Sequence, residues 1–350
     1  MKKTIVYALL VIVAVSLLLG ACAKSQPTEP STAPESAEAP ANSEAPVAAE
    51  KVKVALVTSA GGLGDRSFND MGYEGFKKAE QELGVEIKVV EPGSVADYQT
   101  QLRSVADEGY KLIVGLGSDM LDPIKEVAPE YPDTNFGVVN INPDLPNVAT
   151  AQFKDHEGSF LAGALAGLMT KTNTIGFLGG MDIPNIQRFL VGYEEGAKYV
   201  NPDIKVLTSF AGAWDDPALG KEFAFDLYNQ GADIIFAAAG NTGSGVIEAA
   251  EETGNYAVGV DSDQDYIAPG YVLTSMVKRV DNAMYDFIKK TLEGTFVPGI
   301  TFYGLKEGGV GISELKYTKD KIPAEYLTKL DELKNDIING KIVVTDAAAQ

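Results

Sequence analysis

Three short polar side chains, Asp65, Ser67 and Asn69, surround one aromatic, Phe68, just after the run Val54-Ala55-Leu56-Val57-Thr58-Ser59-Ala60-Gly61-Gly62-Leu63-Gly64. An apolar β-branched run that ends in glycines reads as a buried strand whose end lets a ligand approach the backbone closely. The polar trio then falls around the first turn of a helix. One of them, Ser67 or Asp65, can simply cap that helix while Phe68 packs into the core. Capping requires one such residue, and three are present. Farther along, Asp261 and Lys278 have the chemistry for a hydroxylated ligand: a carboxylate accepts two hydrogen bonds from vicinal hydroxyls, and an ammonium donates to a ring or sugar oxygen. A surface salt bridge is the plainer reading of Lys278. Phe68 and Trp214 have faces on which a planar base can stack. In combination these residue types suit a sugar joined to an aromatic ring.

Other polar groups recur where strands are expected to end. Gly117-Ser118-Asp119 is one such group, Asn140 with Asn142 another, and Trp214 with Asp215 and Asp216 a third; Gly240-Asn241-Thr242-Gly243 and Asp261-Ser262-Asp263-Gln264 follow. Singly, each serves equally well as a helix cap, a turn former or a surface charge. Their recurrence at the ends where α/β folds bind ligands is harder to assign to turns alone. The stretch Gly240-Asn241-Thr242-Gly243-Ser244-Gly245 resembles a phosphate-binding loop only superficially. It lacks the Lys-Ser/Thr ending of a P-loop and the spacing of a dinucleotide fingerprint.

The elements that must position these residues alternate. Strands are expected over 54–58, 87–90, 112–117 and 136–140. Between them fall a helix with Met71, Gly75, Phe76, Ala79 and Leu83 on one face, a second with Tyr98, Leu102 and Val105, and a third over 123–130. Repeated βα units imply a parallel sheet with right-handed crossovers. A second series begins after a strand over 148–153. Its helix over 159–170 is rich in Ala and Gly, which suits close packing against neighbours. Strands over 174–178, 206–210, 234–239, 257–260 and 272–277 alternate with helices near 189–199, 218–230, 245–253 and 282–292. A charged tail carries a helix over 324–339 with Leu327, Leu330, Leu333 and Ile337 as its apolar stripe. The fold class is α/β, with two doubly wound parallel-sheet domains facing each other across a ligand cleft.

The formal charge of −20 over 350 residues argues against nucleic acid, whose phosphates demand a basic surface. One histidine, His156, and one cysteine, Cys22, leave little for metal chemistry and exclude an intrachain disulfide. Neither a cofactor nor a metal is expected. Met1-Lys2-Lys3, the apolar run over 5–19 and Leu19-Gly20-Ala21-Cys22 read as a signal peptide over 1–22 that ends in a bacterial lipobox. The apolar run is shorter than the roughly 20 residues of a membrane span. Cys22 is the expected lipidation site, tethering the protein outside the cytoplasmic membrane. Residues 23–50 are Ser, Pro, Ala and Glu with hardly a large apolar side chain, the composition of a disordered tether.

Gly62-Leu63-Gly64-Asp65-Arg66-Ser67-Phe68-Asn69, Trp214-Asp215-Asp216-Pro217, the run from Ala239 to Gly245, Val260-Asp261-Ser262-Asp263-Gln264 and Ser275-Met276-Val277-Lys278 resemble, in this order, the basic membrane protein family. The resemblance runs from about 53 to 314. Members of that family include purine nucleoside receptor lipoproteins of bacterial ABC importers. It implies a type I periplasmic-binding-protein fold with three interdomain crossings: one domain over 51–153 plus about 279–310, the other over 154–278 plus about 311–345. It also implies that Phe68 stacks on a base, that Asp65 and Asn69 are polar partners, that Asp261 accepts from ribose hydroxyls, and that Lys278 donates to the nucleoside. Ser67, Asp119, Trp214 and Gly240 complete the expected ligand site. The expected partners are a small-molecule ligand, a purine nucleoside, and ABC permease subunits, with the receptor itself a monomer. An extracytoplasmic nucleoside hydrolase working through Asp65, Asp261 and Asp263, or a sensor for a signalling protein, are the alternatives.

Overall fold

The computed structural model describes residues 51–59 and 61–348. The expected signal peptide, Cys22 and the tether lie outside the described residues. A first series of elements comprises β1 (Lys53–Val57), α1 (Phe68–Leu83), β2 (Glu86–Val90), α2 (Tyr98–Asp107), β3 (Leu112–Gly115), α3 (Leu121–Val127), β4 (Asn135–Val139) and β5 (Val148–Phe153). A second comprises α4 (Asp155–Met169), β6 (Thr174–Gly179), α5 (Pro184–Val200), β7 (Lys205–Phe210), α6 (Pro217–Asn229), β8 (Ile234–Ala238), α7 (Thr242–Thr253), β9 (Tyr256–Asp261) and β10 (Val272–Lys278). The chain closes with α8 (Val280–Leu292), β11 (Gly299–Tyr303), β12 (Val310–Ile312) and α9 (Ala324–Ile338).

Successive side chains of β1 point to opposite faces of its sheet, and both faces are apolar. Val54 and Leu56 join the buried cluster that holds Phe76 of α1 and Met284 of α8; Ala55 and Val57 join the one built from Tyr98 and Leu102 of α2 and Ile124 of α3. A strand buried on both faces belongs inside a parallel sheet covered by helices on both sides. The first sheet has the order β11-β5-β4-β3-β1-β2, every pair parallel. The second has the order β12-β10-β9-β8-β6-β7, parallel except for the short edge strand β12, which runs antiparallel to β10. The strands thus form two parallel-sheet α/β units. The chain passes between the sheets after β5, after β10 and again between β11 and β12.

Small residues let α4 and α5 lie against each other almost backbone to backbone. A Cβ on Gly163 would strike the backbone of Tyr193, and one on Gly196 the backbone of Phe160. Two departures from the sequence pattern matter for the site. α4 begins at Asp155, not at 159, and its polar first turn is buried: Asp155 and His156 are 0% and 6% exposed. α5 begins at Pro184, which brings Asn185, Ile186 and Phe189 to the end of the sheet.

Candidate ligand-binding cleft

The two parallel sheets turn the C-terminal ends of their strands toward one cavity of about 330 Å³. From the first sheet come Asp65, Phe68 and Asn69 after β1, Asp119 after β3 and Asn140 after β4; from the second come Trp214 after β7, Gly240 after β8, Asp261 ending β9 and Lys278 ending β10. The sequence-predicted residues are therefore brought together, with one exception. Ser67 is fully buried and donates its hydroxyl to the Asp261 carboxylate, so it holds a wall residue from behind.

The loop after β1 is built around carboxylates. Asp65 accepts the backbone N–H groups of Ser67 at 2.9 Å, Asn69 at 2.8 Å and Asp70 at 3.1 Å, all at the start of α1. Asp65 therefore does cap the helix, with its carboxyl raised above the ordinary carboxylate range because burial outweighs those three bonds. Asn69 accepts the Ser59 N–H at 3.0 Å and bonds the Ser59 hydroxyl, tying the helix back to the end of β1. With both neighbours so fixed, Phe68 is held half-buried, packed against the core and lining the cavity wall.

Asp261 has a left-handed backbone (φ +64°) and is 6% exposed. Non-glycine residues in this region are strained and concentrate at functional sites. Burial pushes its carboxyl up to about 6, against the opposing pull of the Lys278 ammonium and the Ser67 hydroxyl. Trp214 lies over Gly180, where a Cβ would meet its ring, and its carbonyl accepts the Thr242 N–H at 3.1 Å. Gly240 takes a left-handed φ of +58°, and a Cβ there would sit 3.0 Å from the Trp214 carbonyl oxygen. Asp119 and Asp215 are exposed at the rim, Asp215 accepting from the Asn241 amide at 2.7 Å.

Lys278 is not in a surface salt bridge. It is 5% exposed, and its Nζ lies 3.1 Å from Asp155 Oδ1 and 5.2–5.4 Å from the ring centroids of Phe68, Phe153 and Phe189. Asp155 in turn accepts from Asn140 Nδ2 at 2.7 Å, while Asn140 Oδ1 accepts the Phe153 N–H at 2.7 Å. Sequence reasoning did not single out Asp155, because the apolar pattern placed the helix start four residues beyond it. The available signal was a charged pair of residues, Lys154-Asp155, directly after a buried strand end.

Residues 51–348 match the family described as Bmp, ABC transporter substrate-binding protein PnrA-like. The chain belongs to the Bmp family. Among Bmp-family relatives, the "ABC transporter nucleoside-binding protein BmpA" of Lactococcus lactis is 37% identical over 84% of this chain and 89% of its own. A "CD4+ T-cell-stimulating antigen" of Listeria innocua is 35% identical over 99% of both chains. The solved solute-binding protein of an ABC transporter system from Aeropyrum pernix superposes with a TM-score of 0.79 at 30% identity, covering 84% of this chain and 94% of that one. The two facing units of this Bmp-family chain thus have the periplasmic-binding-protein fold, and its place is that of a substrate-binding component of an ABC transporter.

Proposed function

We propose that the protein is a lipid-anchored extracytoplasmic receptor that holds a purine nucleoside between its two units and delivers it to an ABC permease. One observation carries this reading: a half-buried aromatic face, Phe68, stands in the same cavity as a buried carboxylate, Asp261, and a buried ammonium, Lys278. A base stacked on Phe68 leaves its sugar to the Asp261 carboxylate and the Lys278 ammonium in the same cavity, and a volume of about 330 Å³ suits a ligand of nucleoside size. Asp119, Trp214 and Gly240 line the same space and complete the ligand shell. The halves that close on the ligand are 51–153 with about 279–310, and 154–278 with about 311–345. The name of the Lactococcus relative supports nucleosides as the class. The lipobox at Cys22 supports the anchor; among the described residues no helix is long and apolar enough to cross a membrane.

Calorimetry of a chain beginning at Lys51 against nucleosides, free bases and sugars tests the ligand. Purine nucleosides should bind one to one and free sugars should not; equal binding of free sugars overturns the reading. Recovery of the bound nucleoside intact after prolonged incubation separates a receptor from a hydrolase, since release of free base in proportion to protein would establish turnover. Cys22→Ser in the full chain should release the protein from membranes.

A further inference from the structure

Among the described residues lining the cavity, Lys278 is the one cationic side chain, against the carboxylates of Asp65, Asp119, Asp215 and Asp261. A lone ammonium ringed by aromatic side chains at the bottom of a cleft would be a receptor for anions, phosphate above all, because a buried charge draws its counter-ion strongly. This ammonium already has a counter-ion. Asp155, 0% exposed, stands 3.1 Å from it, and Asn140 holds the second carboxylate oxygen at 2.7 Å. Asn140 adopts a left-handed φ of +55° to do so, a conformation that asparagine tolerates better than most side chains. Asp155 opens α4 and Lys278 ends β10, two elements that pack on each other in the second unit. The pair therefore does not depend on how the two units are set against one another.

We propose that Asp155, positioned by Asn140, is a specificity-determining residue: it neutralises Lys278 so that the cleft admits uncharged ligands and rejects those carrying phosphate. An ammonium offers three donors, and with Asp155 occupying one side it keeps N–H groups for a neutral ring nitrogen, carbonyl or hydroxyl. The excess charge of the lining is then negative, and a phosphate entering it meets Asp261 without a free cation. This inference rests on the nucleoside reading only for the identity of the neutral ligand. The assignment of charge to the cleft stands apart from it.

Inorganic phosphate and inosine 5′-monophosphate, each titrated calorimetrically beside inosine, test it. The wild-type protein should bind inosine and neither phosphate probe measurably. Asp155→Asn, nearly isosteric, should weaken inosine at least tenfold and make phosphate and the monophosphate bind, more tightly at low salt than at high. Asp155→Asn with Lys278→Gln removes both charges and should abolish the gained phosphate binding. A role that is only structural would lower every affinity together. An unchanged preference between inosine and its monophosphate in a folded Asp155→Asn protein, or phosphate binding that survives in the double variant, overturns the inference. Should Asp155→Asn fail to fold, Asn140→Gly keeps the left-handed backbone, frees the carboxylate from its anchor, and should shift the same preference several-fold toward the monophosphate; no shift counts against the inference. A wild-type protein that ignores inosine refutes the nucleoside reading alone, because the phosphate arms still report the charge of the cleft.

Discussion

At Asp261 binding and stability pull in opposite directions. Its carboxyl is raised to about 6 chiefly by burial, so the folded chain holds the proton more tightly than the unfolded chain does. The sign follows directly: this residue lowers stability as pH rises from about 4 through 6, and the penalty is fully present at pH 7. Asp261→Asn should therefore raise the unfolding free energy at pH 7 by about 1–3 kcal/mol, read by denaturant titration, with asparagine tolerating the left-handed backbone. Binding should move the other way. The ionised carboxylate is the form that accepts sugar hydroxyls, so nucleoside affinity should be flat above pH 6 and fall by up to about tenfold per pH unit below it. Loss of that charge-assisted bond in Asp261→Asn should cost about 1.5–3 kcal/mol and remove both the inflection and the preference for nucleosides over free bases. Phe68→Ala, by contrast, should weaken bases and nucleosides alike, by roughly 1–3 kcal/mol if stacking on single-stranded bases is a guide. A nucleoside affinity that ignores pH between 5 and 7 would remove Asp261 from the proposed contact.

Helices and strands deliver these residues through contacts of unequal legibility. The alternation of apolar runs and amphipathic helices made the two series of βα units readable, and with them the strand ends that face the cleft. The Ala and Gly content of 159–170 likewise pointed to close packing, which the structure places between α4 and α5. Gly196→Ala should accordingly cost about 1–3 kcal/mol, measured as a lower melting temperature, since its Cβ meets the backbone of Phe160 rather than a yielding side chain. A neutral Gly196→Ala would show that the two helices can part. The start of α4 was not legible, because Asp155 is buried by an ion pair and a hydrogen bond instead of by apolar periodicity. Nor were β11 and β12: four of the five β11 residues are exposed, and β12 has only three residues, too few for alternation to register. The same limit applies to Ser67. A serine beside a helix start reads as a cap or a ligand contact, and its bond to Asp261 spans 194 positions that no local pattern connects.

Across the whole molecule, the loops after β1 and β9 meet beside the cavity. The Arg66 carbonyl accepts the Ser262 hydroxyl at 2.6 Å and the Gln264 amide at 3.0 Å, and Ser67 bonds Asp261, so these loops add three hydrogen bonds between the two units to the one that Asn140 makes to Asp155. Arg66 itself is held at a left-handed φ of +53°, a strained conformation for a non-glycine residue. Contacts that exist only when the units are together favour the closed arrangement, and a ligand binding the closed form benefits from them whatever its chemistry. Ser262 is the cleanest place to test this, because Gln264 also accepts the Val260 N–H within its own unit. Ser262→Ala removes one neutral hydrogen bond, worth about 0.5–1.5 kcal/mol, and should weaken every ligand by about two- to tenfold. Most of the loss should appear as faster release, since the contact helps to hold the closed form around a bound ligand. Small-angle scattering of the empty protein should show a larger mean radius of gyration than wild type, while the melting temperature of the empty protein stays close to its original value. A ligand-dependent effect, strong for nucleosides and absent for bases, would instead place Ser262 in direct contact with the sugar and leave closure to other groups.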